Sequence, residues 1–369
     1  MEEAALSVRD LAAELRRERP VVGRLGLHVG DLRVAVLSND EGLLADLGRY
    51  FAAYRDDAAV DDAGAIEVVA LEGPPPALPE HQAVDFVPRQ PEPGKRGIKE
   101  ESLEIAGGRL IRKVRTGMLF LTGSGVHLAV GRCRRFQNQI INFVNSRVIE
   151  AQMRAGWLLC HAAAVSLGER GLALAGFSGM GKSTLALHLM EAPGIAYVSN
   201  DRLLIKREGD AVRIAGVPKL PRINPGTAMS VPRLRGLLSP ARQAELAALP
   251  TGELWALEDK LDVDVDAVYG AGRVALGAAA RALMILNWTR GGGPLEVAEV
   301  DLSQRPDLLG VVMKSAGLFY DHDEAEGASA GEPTPGPYLE ALAGLRVVEC
   351  RGGVDFAGAR AAGLELLRG

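Results

Sequence analysis

The sequence predicts an α/β fold in two parts: a smaller α/β domain over residues 1–134 and a larger one with a mixed sheet over residues 135–369. Two observations point to it. Between 171 and 199 an apolar strand, a glycine-rich loop, a helix and a second strand follow in order, the arrangement of an α/β core. Ahead of them, short alternating apolar runs are joined by glycine turns, which reads as antiparallel pairing. A third observation sets the class. Hydrophobic residues make up 47% and charged residues 24%, globular usage that supports a core without staples.

The first domain opens with a helix over 7–18, which Ser7 can cap and in which Val8, Leu11, Ala12 and Leu15 share a face. Leu25-Leu27-Val29 and Leu32-Val34-Val36 flank Gly30-Asp31 as a hairpin. Ser38 and Glu41 have the spacing of a capping box, so a helix is expected to bury Leu43, Leu44, Leu47, Tyr50 and Phe51. Residues 65–71 read as a strand. Seven prolines between 74 and 93 then predict a long loop from 73 to about 99. Two hairpins turn near Gly107-Gly108 and Gly123-Ser124-Gly125.

A helix over 135–156, with Phe136, Ile140, Val144 and Val148 every fourth position, is expected to open the second domain. Strands are expected at 161–167, 171–175, 195–199, 211–217, 261–265, 282–288 and 345–350. Helices are expected at 304–319, capped by Ser303, and at 354–368. Residues 323–337, rich in Gly, Pro, Ala and acids, read as a surface loop.

The net charge of −5 gives no field that favours nucleic acid or an anionic membrane. Cys133, Cys160 and Cys350 have no metal-ligand spacing, and an odd number argues against a disulfide framework, so a reducing, cytoplasmic setting is expected. The N-terminus carries acids and a polar helix pattern rather than a signal peptide, and no apolar run reaches the length of a membrane span.

Chemistry concentrates in one segment. Gly176-Phe177-Ser178-Gly179-Met180-Gly181-Lys182-Ser183, followed by Thr184, fits G-x-x-x-x-G-K-[ST] without a gap. The strand Leu172-Ala-Leu-Ala175 leads in and an apolar helix leads out. Glycines let successive N–H groups point at one centre, and the helix N-terminus adds positive potential there. Lys182 is then placed for the β- and γ-phosphates of ATP, and Ser183 for Mg²⁺. A carboxylate for the metal shell is found at Asp201, at the end of the next apolar strand. One helix and one strand separate it from Lys182. The two strands are therefore expected to be neighbours that deliver both residues to one sheet end.

These residues resemble HPr kinase/phosphorylase and its relatives, with the HPr-kinase-related kinase B branch as the nearest match. That family has a histidine before the P-loop, then G-x-S-G-x-G-K-S, then a strand ending Asp-Asp-Arg. The counterparts here are His161, residues 176–183, and Asn200-Asp201-Arg202. The phosphate loop of phosphoenolpyruvate carboxykinases looks similar too. The resemblance covers about 155–230 and implies an HPr-kinase/carboxykinase-like P-loop fold, kinase activity with Mg²⁺-ATP, and a tendency to form homo-oligomers. It also assigns His161, Asn200 and Asp201 to the catalytic position, with a core histidine satisfied by backbone as the alternative for His161. Two departures bear on chemistry. Asn200 stands where the family has a catalytic Asp, and an asparagine takes no proton, which argues against phosphorolysis and leaves the base unassigned. The P-loop ends Ser183-Thr184 rather than Ser-Glu.

Further candidates carry plainer alternatives. Lys219, Arg222 and Asn224 lie in a loop stiffened by prolines, either a clamp for acceptor or phosphate or an ordinary basic loop. Arg290, before Gly291-Gly-Gly293, is either an arginine finger in cis or a solvated turn. Asp262, Asp264 and Asp266 alternate on one expected strand face, better read as a charged edge than as a metal site. His188, on the P-loop helix, reads as packed. The expected activity is transfer of the γ-phosphoryl group of ATP to a hydroxyl on a protein serine or a small molecule. The alternative is a nucleotide-dependent switch or ATPase without an acceptor.

Overall fold

The computed structural model describes residues 6–76, 86–90, 97–321 and 332–369. The chain divides into two compact units, Met1–Ala151 with Ala316–Glu332, and Gln152–Ser315 with Pro333–Gly369. Much of the proline-rich loop expected at 73–99, and of the loop expected at 323–337, lies outside the described residues.

The first unit is built from α1 (Val8–Glu18), β1 (Gly23–Val29), β2 (Leu32–Ser38), α2 (Glu41–Tyr50), β3 (Ile66–Glu72), β4 (Val87–Pro88), β5 (Glu100–Ile105), β6 (Gly108–Lys113), β7 (Leu119–Gly123), β8 (Val126–Gly131) and α3 (Gln137–Arg154). Its sheet runs β1-β2-β3-β8-β7-β6-β5-β4. The β2–β3 and β3–β8 pairs are parallel, so the pairing is mixed rather than wholly antiparallel. The Pro88 strand sits at the sheet edge, where a missing N–H breaks no ladder. Ser7 caps α1, accepting from the Asp10 N–H, and α1 buries Val8, Leu11 and Leu15 against Leu119, Leu121 and Leu128.

Two expectations change here. The cap of α2 is Asp40, whose carboxylate accepts from the Leu43 N–H at 2.7 Å. Ser38 is still in β2, buried, with its hydroxyl donating to the Ala70 carbonyl at 2.6 Å. The helix expected to open the second domain, α3, belongs instead to the first unit, and the division comes at 151/152 rather than 134/135. Its apolar face packs on the first sheet, with Phe143 edge-on to Phe120 at 5.1 Å. Arg147 on the same helix is buried with Glu150 (2.8 Å) and Asp321 (3.0 Å) as ion partners.

The second unit carries β9 (Leu158–Cys160), β10 (Ala163–Leu167), β11 (Arg170–Gly176), α4 (Lys182–Met190), β12 (Ile195–Ser199), β13 (Leu203–Glu208) and β14 (Ala211–Ala215). It continues through β15 (Arg222–Ile223), α5 (Pro225–Ser230), α6 (Pro240–Ala247), α7 (Thr251–Ala256), β16 (Leu261–Asp262), α8 (Val265–Tyr269), β17 (Gly277–Leu286) and β18 (Glu296–Glu299). It ends with α9 (Pro306–Val312), α10 (Pro335–Leu342), β19 (Arg346–Arg351) and α11 (Phe356–Arg368). The main sheet runs β12-β10-β11-β17-β14-β13-β9, and β19 pairs with both β17 and β18. Successive strand residues feed opposite faces. Leu172 and Leu174 join a core with α4 and α11, while Ala173 and Ala175 join a core with α9 and α10. Helices on both faces explain why these strands read as continuous apolar runs.

The expected adjacency of β11 and β12 is wrong, because β10 lies between them, antiparallel to both. The consequence that matters survives: β11 and β12 are parallel to each other and end at the same side. The aspartate series 262–266 does not share a strand face. Only Asp262 is in a strand, Asp264 caps α8 through the Ala267 N–H, and Asp266 lies in the first turn of α8. The helix expected over 304–319 is shorter. A 3₁₀ turn (Leu302–Gln304) capped by Asp301, not Ser303, precedes α9, which stops at Val312. There the backbone leaves the helix to run along β9, with the His161 N–H on the Val312 carbonyl and the Lys314 N–H on the Leu159 carbonyl. The loop expected to extend to 337 gives way to α10 at Pro335, a proline in the first turn where no N–H is needed.

The sheet is open but strongly curled, and its two ends approach each other at one end of the strands. β12 and β13 lie five strand positions apart, a lateral distance of about 24 Å in a flat sheet, yet only residues 200–202 join them. Four Cα steps reach at most about 14 Å. β9 and β10, equally far apart in the order, are joined by residues 161–162 alone. Both short linkers therefore cross the seam where the ends of the sheet approach each other.

Candidate active site

The P-loop leaves β11 at Gly176, whose backbone takes φ of +151°, and a Cβ there would stand 2.6 Å from the Leu286 carbonyl of the neighbouring β17. Gly179 and Gly181 also have positive φ. Gly181 is the N-cap of α4 and brings no side-chain acceptor, so the first-turn N–H groups are left for an anion. Trp288 fastens the loop from outside, its indole N–H donating to the Met180 carbonyl at 3.0 Å. Lys182 is 8% exposed and donates to the Gly176 carbonyl at 2.9 Å. Burial pulls its pKa down to about 8, with the Lys314 ammonium adding to the effect and Asp201 opposing it. Ser183 is half-buried. Thr184 is buried, and its hydroxyl is bonded to that of Thr227 at 2.7 Å.

The seam supplies the second half. His161 sits on the linker between β9 and β10, and Asn200-Asp201-Arg202 form the linker between β12 and β13. The two linkers meet through His161 Nε2 and Asp201 Oδ1 at 3.0 Å. Ser199 holds the second linker by donating to the Arg202 carbonyl at 2.7 Å. Lys314 Nζ stands 3.7 Å from the other oxygen of Asp201. Burial works against the charge on Asp201. The His161 hydrogen bond and the positive field of Lys314, His161 and Arg202 outweigh it, and the carboxyl stays far below the usual carboxylate range. Asp201 is nonetheless 41% exposed and open to a ligand. Lys219 faces the same cluster. Burial, then Arg202, draws its pKa down to about 8, while Asp201 opposes the shift. Its carbonyl accepts from the Tyr197 hydroxyl at 2.9 Å, which ties this loop to β12. One carboxylate surrounded by Lys182, Lys219, Lys314 and Arg202 is an electrostatic setting for a polyanion.

Other candidates are placed differently. Arg222 is paired with Asp262 at 2.9 Å across the short β15–β16 ladder. Asn224 occupies the cap position of α5 without capping it, and its Oδ1 is buried with no partner among the described residues. Arg290 lies over the ring of Trp255 at 5.8 Å. It lines a cavity that Asp201, His161, Lys219 and Lys314 do not line. His188 is packed against Phe356. Lys314 was not foreseen, and nothing local marks it: the sequence places it inside an expected helix, far from the P-loop.

A divalent cation was expected at Ser183 and Asp201. Among the described residues no three His, Cys, Asp or Glu side chains cluster as a metal site. A hydroxyl and a carboxylate are oxygen donors of the kind Mg²⁺ takes beside its waters and substrate phosphates. All three cysteines are buried thiols. Among the described residues no helix is long and apolar enough to cross a membrane.

No protein-family model matches this sequence, and no curated protein matches it. Among solved structures the chain is similar to the Hpr(Ser) kinase/phosphatase from Coxiella burnetii, at 13% identity and a TM-score of 0.26, over 57% of this chain and 88% of that one. A likeness of that size bears on neither activity nor ligand.

Proposed function

We propose that this chain is an ATP- and Mg²⁺-dependent phosphotransferase that moves the γ-phosphoryl group to a hydroxyl acceptor on a protein or a small molecule. The supporting observation is the convergence, at one end of one sheet, of a P-loop whose lysine is desolvated and a carboxylate held ionised by His161 and Lys314. The loop N–H groups and Lys182 neutralise the phosphates. Lys219, Lys314 and Arg202 add positive potential where charge develops in transfer. Ser183 and Asp201 would hold the cation, which when bound offsets charge on the phosphate oxygens. Asp201 is held ionised by the His161 hydrogen bond and the neighbouring positive charges, and the acceptor proton is not assigned to it. It orients His161 and the acceptor hydroxyl instead, and a loose phosphoryl-transfer transition state needs positioning more than strong base catalysis.

Asn200 favours a second reading, nucleotide hydrolysis without an acceptor. It stands beside Asp201 on the seam and takes no proton. Incubation with γ-labelled ATP and cell extract separates the two. Label on a protein or metabolite, lost in Lys182→Ala, supports the transferase. Label in free phosphate alone supports hydrolysis, and turnover unchanged in Lys182→Ala overturns both.

A further inference from the structure

The parallel strands β11, β17 and β19 end side by side, and the loops that follow them enclose a cavity of about 780 Å³. That size lies within the usual range for small-molecule sites, and the C-terminal ends of parallel strands are where open α/β sheets take ligands. One wall is the P-loop at Gly179–Gly181. The others carry three aromatic rings, Trp255, Trp288 and Phe356. Trp255 and Phe356 are nearly parallel, 23° between planes and 6.0 Å between centroids. Trp288 meets Phe356 edge-on, at 82° and 5.2 Å. His188 backs Phe356 at 5.4 Å and fixes its ring.

Glycines seat these rings. A Cβ at Gly181 would stand 2.7 Å from the Phe356 ring, so the N-cap of the phosphate helix touches the aromatic wall directly. A Cβ at Gly226 would stand 2.8 Å from the Trp255 ring. The loops after β17 and β19 cross so closely that a Cβ at Gly352 would fall 2.0 Å from the Pro294 carbonyl. The cavity is thus walled by backbone and rings, opens onto the P-loop, and is separate from the Asp201 cluster.

We propose that this cavity is a purine-base subsite: the base of a nucleotide whose phosphates lie on the P-loop inserts between Trp255 and Phe356, with Trp288 at its edge. The inference rests on the P-loop reading above. A ring held between two others needs about 7 Å between them, two contact distances of about 3.5 Å. The two rings face each other directly, so Trp255, half-buried on the short α7, must move outward to admit a base. Stacking overlap grows with ring area, which favours a bicyclic base. Arg290, over the Trp255 ring, then belongs to the base side of the site rather than to the γ-phosphate.

The test is calorimetric titration, with Mg²⁺ present, of ATP, CTP and inorganic tripolyphosphate into the wild type, Trp255→Ala, Trp255→Phe and Lys182→Ala. Stacking between aromatic rings predicts that ATP binds the wild type about tenfold or more tighter than tripolyphosphate. Trp255→Ala is expected to bring ATP to the level of tripolyphosphate and leave tripolyphosphate unchanged, and Trp255→Phe to restore most of the gap. Equal affinity of ATP and tripolyphosphate for the wild type overturns the base pocket while leaving the phosphate site intact. CTP as tight as ATP overturns the purine assignment. Tripolyphosphate that binds Lys182→Ala as well as the wild type overturns the phosphate reading, and the base pocket with it.

Discussion

The two halves of the site are built in opposite ways. The P-loop is one continuous run of nine residues, 176–184, shaped by its own glycines and the first turn of α4. The Asp201 cluster draws on four separate stretches, at 161, 200–202, 219 and 314, and exists only because the curl of the sheet brings its two short linkers together. A local motif is damaged chiefly from within, with a few outside supports such as Trp288. A seam can be damaged from any of the segments that meet there, and its electrostatics respond to all of them together.

The largest expected effect lies in the continuous half. Lys182→Ala should lower phosphoryl transfer by about 1000-fold or more, the scale of losing a charge clamp on the transferred group. It also removes a desolvated ammonium, so the melting temperature should hold or rise, and a clear fall would make the lysine structural. Asp201→Asn keeps the shape of the seam but removes the charge that engages His161 and Lys314. Steady-state rates should fall by about 100-fold, the lower end of what such groups contribute.

The pH dependence joins the halves. Lys182 and Lys219 both have pKa values lowered to about 8, so each is protonated below that pH and neutral above it. Polyphosphate binding needs the ammonium. ATP affinity should therefore fall from pH 7 to pH 9, by up to about tenfold for each lysine that binding requires. Lys219→Ala should flatten part of that profile. Affinity that rises over this range would contradict the assignment.

Smaller effects sharpen the contrast. Lys314→Ala should lower turnover about fivefold, as expected for a part-exposed charge contact, and should do so in kcat rather than in nucleotide affinity. An effect on affinity alone would move Lys314 to the phosphate side. Trp288→Phe deletes the indole hydrogen bond to Met180 and trims its buried edge contact with Phe356, and should weaken nucleotide binding by about threefold.

Legibility followed the same divide. The P-loop is readable because its function needs fixed residue types at fixed spacing in one stretch. His161 and Asp201 are readable as candidates, but their contact is not, since strand order decides it and no local pattern reports strand order. The insertion of β10 between β11 and β12 shows this. Lys314 is hidden because its segment ends as a helix through hydrogen bonds to β9, a tertiary event. Asp262, Asp264 and Asp266 alternate like a strand, yet Asp264 is a better helix cap than strand residue, and α8 begins there. The side on which α3 packs is not legible, because periodicity shows that a face is buried, not what it is buried against.

The central claim is that the loop at 176–184 binds a nucleoside triphosphate through Lys182. Isothermal titration of Mg²⁺-ATP into the full chain and into Lys182→Ala tests it most directly. Saturable binding of one ATP per chain, lost in the variant while the fold persists by circular dichroism, is the predicted result. Binding of equal strength to both proteins would contradict it.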